Sequence, residues 1–306
     1  TNFVITASCD GHIKFWKKQD ELIEFVKHFR AHVSAIHGLA SSCNGVYAAS
    51  ISLDKSMKIF DVVNFDMINM MKFDYVPQCV EWIYTAGDAI FSLAVSDKDS
   101  PRIKVYDAHG TAAPLHTFED MHRKPVVVMK YNPVFETCIS IDEAGFLEYW
   151  TGSKFEYQFP KCVAFESKLD TDLFEFAKNK THLCSLAISP DGKKFASLSS
   201  DRKVRVFHFL TGKLHRIFDE SLQRFSELQQ TTQQLPNMEF GRRMAVEREM
   251  DKLQINLGNI VFDESGYIII YSTMLGIKLV NVYTSRCIRI LGKPENIRPM
   301  QLALFQ

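Results

Sequence analysis

Two histidines precede a recurring turn at one fixed offset. His32 lies 22 residues before Asp54, and His122 lies 22 residues before Ala144. Ser50 and Ser52 stand on the run between His32 and Asp54. Histidine, serine and aspartate are the residue types of proton transfer and of an activated nucleophile. On that reading His32 and Asp54 form a general-base pair and His122 is a ligand. The acids carry a second regularity, because Asp10, Asp54 and Asp201 each stand six residues before an aromatic: Trp16, Phe60 and Phe207. Trp150 holds the same place after Ala144. Residues tied so closely to a repeated turn belong to a repeated scaffold, and the structural role outweighs the catalytic one. The seven cysteines show no CxxC spacing and sit mostly in or beside apolar runs. They read as small buried hydrophobes in a reducing compartment, and neither metal nor cofactor is expected.

The elements that must position these residues are clearest in 189–214, SPDGKKFASLSSDRKVRVFHFLTGKL. Pro190-Asp191-Gly192 and Ser200-Asp201-Arg202 are turn signals, and a third turn falls at 210–212. Between them the apolar residues alternate at period 2, as in strands of a half-buried sheet. So few strands cannot bury a face alone, and copies of the unit recur along the chain. Aligned on the strand aromatic, they end at Trp16, Phe60, Tyr106, Trp150, Phe207 and Val280, with gaps of 44, 46, 44, 57 and 73 residues. A period in the mid-forties with an acid before an aromatic marks an all-β fold, the WD-repeat β-propeller. The long gaps place insertions at 160–181 and 219–257.

In such repeats a His, a Ser or Thr, the turn Asp and the strand aromatic share one buried hydrogen-bond network. By offset, only the second unit keeps every member: His32, Ser50, Asp54 and Phe60. The first retains Asp10 and Trp16. The fourth retains His122 and Trp150 but has Ala144 in the acid position. The fifth has Asp201 and Phe207, with Asn179 where the His would stand. The aromatics read as packing knobs between blades. Equal numbers of acidic and basic residues, 36 of each, leave no general field for nucleic acid. No apolar run approaches the roughly 18 residues of a membrane span, and no signal peptide is read. HExxH, GxSxG and phosphate-loop patterns are absent, so no enzyme site is expected in this stretch.

The segment 219–257 breaks the repeat. Leu222, Phe225 and Leu228 recur at helical spacing, Leu235-Pro236 interrupts, and Asn237 is placed to cap a second helix bearing Phe240, Met244 and Leu253. Arg243 and Glu247 form an i,i+4 pair. Either this arm packs on the propeller, or residues Phe240, Arg242, Arg243, Met244 and Glu247 grip a partner protein. Residues 170–178 form a short helix candidate with acids in its first turn. Residues 297–306 read as one more first strand. Outside the arm the chain supplies about six repeats of 40–45 residues. Open strand edges are a liability, and the abrupt ends favour a seven-bladed propeller with incomplete first and last blades. A six-bladed ring closed by pairing 297–306 with 3–8 is the alternative. Residues 1–306 are expected to form a single domain with a helical insertion at 219–257.

Several runs carry a closer resemblance: FDVVNFDMINM (60–70), EYWTG (148–152), DTDLFEFAK (170–178), QQLPNMEFGRRMAVERE (233–249), TMLGIKLVNV (273–282) and RCIRILGKPENIRPMQLALFQ (286–306). Together they resemble the WD-repeat region of the nuclear WD-repeat cyclophilins, arm included. The resemblance implies a seven-bladed propeller followed by a C-terminal cyclophilin domain, absent from this chain, that isomerises X-Pro bonds. It implies a nuclear, monomeric scaffold that docks spliceosomal proteins or other ribonucleoprotein components, with no catalytic residue in this stretch and no membrane partner. Direct RNA contact is left open but not indicated. An RNA- or free-peptide-binding propeller, and a propeller enzyme, are the alternatives.

Overall fold

The computed structural model describes residues 2–255, 258–295 and 297–305. The chain divides into two compact units, Thr1–Lys161 and Cys162–Gln306. Four antiparallel sheets fill the first. The first sheet is Phe3–Ala7, His12–Lys18 and Ile23–Arg30, and the second is Ile36–Ser41, Tyr47–Ser52, Ser56–Asp61 and Asp66–Lys72. The third is Pro77–Ile83, Ser92–Asp97, Ile103–Asp107 and His116–Phe118. The fourth is Val126–Asn132, Thr137–Asp142 and Leu147–Thr151. Consecutive strands pair, as hairpin-length turns require.

Burial follows composition strand by strand. Middle strands such as Thr137–Asp142 are buried at every position, and TCISID is accordingly apolar or small and polar. The outer strand Asp66–Lys72 is mostly exposed and carries charges at both ends. Neighbouring sheets share cores: Ile13 and Phe15 pack with Ala48, Phe60 and Val62. Ile51, Met57 and Ile59 pack with Trp82, Leu93 and Val95, and Ile83 and Val105 with Met129 and Trp150. Gly11 lies where the first two sheets meet. It has φ +85°, and a Cβ there would stand 2.2 Å from the His32 carbonyl oxygen, so only glycine fits. The repeated aromatic position sits at a register shift between third and outer strands, at Trp16, Phe60, Phe207 and Val280. Such bulges sharpen the twist there.

The second unit holds two four-stranded sheets. One is Leu183–Ile188, Lys194–Ser199, Lys203–His208 and Leu214–Asp219; the other is Ile260–Phe262, Ile268–Thr273, Gly276–Asn281 and Arg286–Leu291. They share a core of Leu198, Val204, Val206, Ile269, Tyr271 and Val280. Three α-helices accompany them: α1 (Glu175–Lys178), α2 (Leu222–Thr232) and α3 (Asn237–Lys252). The described residues thus give an all-β WD-repeat propeller fold of six blades with three helices. Six is the alternative number; the seven-bladed expectation is not met.

Three local expectations are corrected. Residues 297–305 form no strand; Gln306 lies outside the described residues. Instead the Asn259 amide donates to Leu302 O at 2.8 Å and accepts from Leu302 N at 2.7 Å. One side chain thereby satisfies both backbone groups that a strand partner would have taken. Asn237 is the first residue of α3 and not its cap, because Pro236 occupies the N-cap position. Proline is preset for the turn into a helix, and Asn237 Oδ1 accepts from Gln229 at 3.2 Å. The helix predicted over 170–178 is split into a 3-10 turn, Lys168–Asp170, and the four residues of α1.

Candidate interaction surface

The second blade brings its predicted polar residues together. His32 is 2% exposed. Its Nε2 lies 2.8 Å from Ser50 Oγ, and its Nδ1 is 3.1 Å from Asp54 Oδ2 and 2.9 Å from Ser56 Oγ. Asp54 also accepts from the Val33 amide at 3.1 Å and from Ser56 N at 3.0 Å. Burial pushes the His32 pKa down, with Asp54 opposing. For Asp54 burial acts upward, but the bonds from Ser56 and Val33 N prevail and lower its pKa. Every ring nitrogen is already occupied and the side chain has no exposed surface. A base must reach its substrate's proton, so this set serves the blade.

The fourth and fifth blades rebuild the network with other residues. His122 Nε2 bonds Ser140 Oγ at 2.7 Å, and Trp150 Nε1 donates to the same oxygen at 3.1 Å. The acid that spacing read as lost is present two residues earlier: Asp142 Oδ2 stands 3.5 Å from His122 Nδ1. Asp142 also accepts from the Ala144 and Phe146 amides. In the fifth blade Arg205, 1% exposed, replaces the histidine. It reaches Ser199 Oγ at 2.6 Å and both oxygens of Asp201 at 3.1 and 2.6 Å. Asn179 takes no part and bonds Glu175 instead. A guanidinium on the third strand thus holds the turn acid and the Ser199 hydroxyl, the counterpart of Ser52 and not of Ser50. Among the described residues His32 bonds both its hydroxyl and its acid, whereas His122 Nδ1 has no hydrogen-bond partner.

The first blade departs furthest. Trp16 is half-buried, with its Nε1 donating to Thr6 Oγ1 at 2.9 Å and its ring edge-on to Phe25. Phe15, not Trp16, enters the shared core. Trp150, Phe60, Tyr106 and Phe207 are all within 1% of full burial. A cavity of about 610 Å³ opens on this face, lined by Thr6, Ser8, Asp10, His12, Trp16 and Phe25 among others. Ser8, Asp10 and His12 sit together here, but Ser8 Oγ bonds Asp10 and, at 3.2 Å, the His12 backbone carbonyl, and not the imidazole. The bonds from Ser8 and His12 lower the Asp10 pKa to about 2. Among the described residues no three His, Cys, Asp or Glu are grouped to hold a metal. The cysteine expectation needs correction, since Cys9, Cys43, Cys162 and Cys287 are exposed.

The arm packs on its own unit, and its two helices face it unequally. Phe225, Leu235 and Met244 form a cluster with Met274 and Leu275, against which Phe240 and Ile290 pack. Arg243 and Glu247 do not pair. Arg243 bonds Glu239 and the carbonyls of Met274, Lys293 and Glu295. Glu247, 1% exposed, takes Arg202 on one oxygen and Arg298 Nε, at 2.6 Å, on the other. Charged side chains are seldom buried unless paired, as these are. Of the five predicted gripping residues, Arg243, Met244 and Glu247 therefore anchor the arm, Phe240 is half-buried and Arg242 alone is exposed. The outer side of α3 also shows Met238 at 89% and Val246 at 47% exposure, and Leu253 just past its end at 68%. Leu253 thus lies away from Met244, contrary to the shared face expected. Residues 256 and 257, which close the insertion, lie outside the described residues.

Residues 23–61 and 173–208 match the family model of the WD domain, G-beta repeat. The chain is 59% identical over 307 residues to peptidylprolyl isomerase domain and WD repeat-containing protein 1 of Homo sapiens, covering all of this chain and 48% of that protein. It is 48% identical over 311 residues to an Arabidopsis thaliana peptidyl-prolyl cis-trans isomerase, covering 99% of this chain and 49% of the relative. A Schizosaccharomyces pombe peptidyl-prolyl cis-trans isomerase is 30% identical over 318 residues, covering 52% of its length. No helix among the described residues is long and apolar enough to cross a membrane. The chain spans about half the length of the curated relatives it matches. It carries WD repeats and is similar along its whole length to the WD-repeat half of the peptidylprolyl isomerase and WD-repeat proteins.

Proposed function

We propose that this chain is the interaction scaffold of a nuclear, spliceosome-associated peptidyl-prolyl isomerase. Its propeller domain docks on splicing proteins while a cyclophilin domain elsewhere in the protein isomerises X-Pro bonds. The observation that carries the reading is the arm: it is anchored by its charged residues and leaves Met238, Arg242, Val246 and Leu253 outward. A helix face of that composition suits a protein partner. The names of the relatives supply the isomerase half of the proposal. Uncatalysed X-Pro isomerisation takes tens to hundreds of seconds, and a tethered catalyst works at high effective concentration.

The test is affinity capture from nuclear extract with the 306-residue chain, scored for named splicing proteins and small nuclear RNAs. Capture should exceed that of an unrelated propeller and fall several-fold for Met238→Glu with Leu253→Glu. These exposed substitutions should leave the thermal transition in place. Capture no better than that of the unrelated propeller refutes the splicing assignment. Removing 220–252 is a poor test, because Glu220 is buried beneath Tyr271 and Lys278, its carboxylate 2.7 and 2.6 Å from them.

A further inference from the structure

The fifth and sixth sheets meet at one end through their turns. A Cβ on Gly266 would lie 3.6 Å from Pro190 Cδ, an ordinary contact. That packing gathers basic and aromatic side chains. Lys194 opens its strand opposite His208, its register partner, and His208 and His215 have ring centroids 4.8 Å apart. The Lys194 ammonium stands 3.6 Å from the ring centroid of Tyr283, and Tyr267 flanks Tyr283 at 5.0 Å.

Lys194 is 6% exposed, and among the described residues its Nζ has no hydrogen-bond acceptor; nor does His215 Nε2 have a partner. Asp191 and Asp263 are engaged in their own turns. Asp191 accepts from Ser189 Oγ at 2.6 Å and from Lys193 N at 3.1 Å. Asp263 holds Ser265 and the Ile268 amide. A buried ammonium whose sole partner is a π face lacks the counter-charge that burial normally demands. Burial and then the Lys194 charge lower the pKa of His208; burial, His208 and then Lys194 lower that of His215. Tyr267 and Tyr283 are 52% and 50% exposed and form the rim.

We propose that this cluster receives a carboxylate from an acidic peptide segment of a partner protein, with Lys194 as the cation, His208 and His215 beside it, and Tyr267 and Tyr283 as the rim. Rotation of the exposed Tyr283 ring opens Lys194 to the ligand. One deep cation suits a single anion on a flexible stem. A nucleic-acid backbone needs a row of accessible cations instead. The inference deepens the scaffold reading by naming the chemistry of one contact. It uses a synthetic probe, so its failure and a failed extract capture are separate results.

Fluorescence anisotropy of a labelled polyglutamate peptide against the 306-residue chain reads the site. Wild type should bind at low salt. Lys194→Met should bind roughly ten-fold or more weakly, since it removes a charge-assisted contact. Its Tm should hold or rise, because an unpaired buried charge leaves with it. Lys252→Met, which removes an exposed arm charge, should bind as wild type. The proposal is overturned if wild type does not bind, if Lys194→Met binds unchanged, or if that variant loses Tm. It is also overturned if Lys252→Met weakens binding equally, or if single-stranded RNA binds through Lys194 more tightly than the peptide.

Discussion

Glu247→Ala should be the most damaging single change in the arm. Both carboxylate oxygens are engaged by guanidinium groups, Arg202 on one and Arg298 on the other, and the residue is 1% exposed. Breaking a buried pair by removing one partner costs about 3–5 kcal/mol, because the remaining charge is stranded. Arg202 keeps Asp251 at 2.6 Å and the Glu247 carbonyl at 3.3 Å, which places the loss near the lower end, about 3 kcal/mol. At about 2–4 °C per kcal/mol for a large domain, the transition should fall by at least roughly 6 °C. Urea denaturation and differential scanning calorimetry measure this, and proteolysis should cut within 222–252 earlier than in wild type. Glu247→Leu combined with Arg202→Met and Arg298→Met removes all three charges and should recover much of the loss. A Glu247→Ala midpoint within about 1 kcal/mol of wild type would refute the anchoring role.

Other outcomes follow from the same contacts. Trp150→Ala should cost about 3–5 kcal/mol, whereas half-buried Trp16→Ala should cost clearly less; equal losses in urea melts would contradict the burial difference. Gly11→Ala forces a methyl onto the His32 carbonyl at positive φ, and should destabilise by more than about 1 kcal/mol, measured by the same melts. His32 has a lowered pKa through burial, so the unfolded chain binds the proton more readily. Stability from this group is complete above the ordinary His value near 6.5 and declines as pH falls through it. His32→Gln should therefore show a shallower loss of Tm on acidification from neutral pH than wild type. An identical slope would mean that His32 does not titrate in that window.

The repeat was legible because turns punctuate it: Asp-Gly and Ser-Asp signals bound strands whose burial forces period-2 alternation. The blade network was only partly legible. Its requirement is side-chain proximity and not position: Asp142 approaches His122 Nδ1 to 3.5 Å from two residues before the aligned site, and Arg205 serves from a different strand. For Arg205 the reach of a longer side chain offsets the displacement, and an offset count misses both residues. The terminal segment departs from its sequence pattern for a related reason. IRPMQLALFQ has strand-like apolarity, but the Asn259 side chain takes the hydrogen bonds of Leu302 that a ladder would need.

The arm inverts the usual rule for a surface helix. An apolar stripe normally turns inward and charges outward, and by that rule Arg243 and Glu247 belong in water. In α3 these two are buried with Met244 and Met250, held by Arg202, Arg298 and three backbone carbonyls. The rotation of the helix is thus fixed by specific charged contacts, and Met238 and Val246 are carried to the outside with it. Rotating α3 to bury them would carry Glu247 into water, leave Arg202 and Arg298 without their shared carboxylate, and expose Met244 and Met250 in exchange. Two apolar side chains return about 1.5–3 kcal/mol each when fully buried. That gain is offset by the broken ion pairs and by the exposure of Met244 and Met250, and in the observed rotation Met238 and Val246 stay outward.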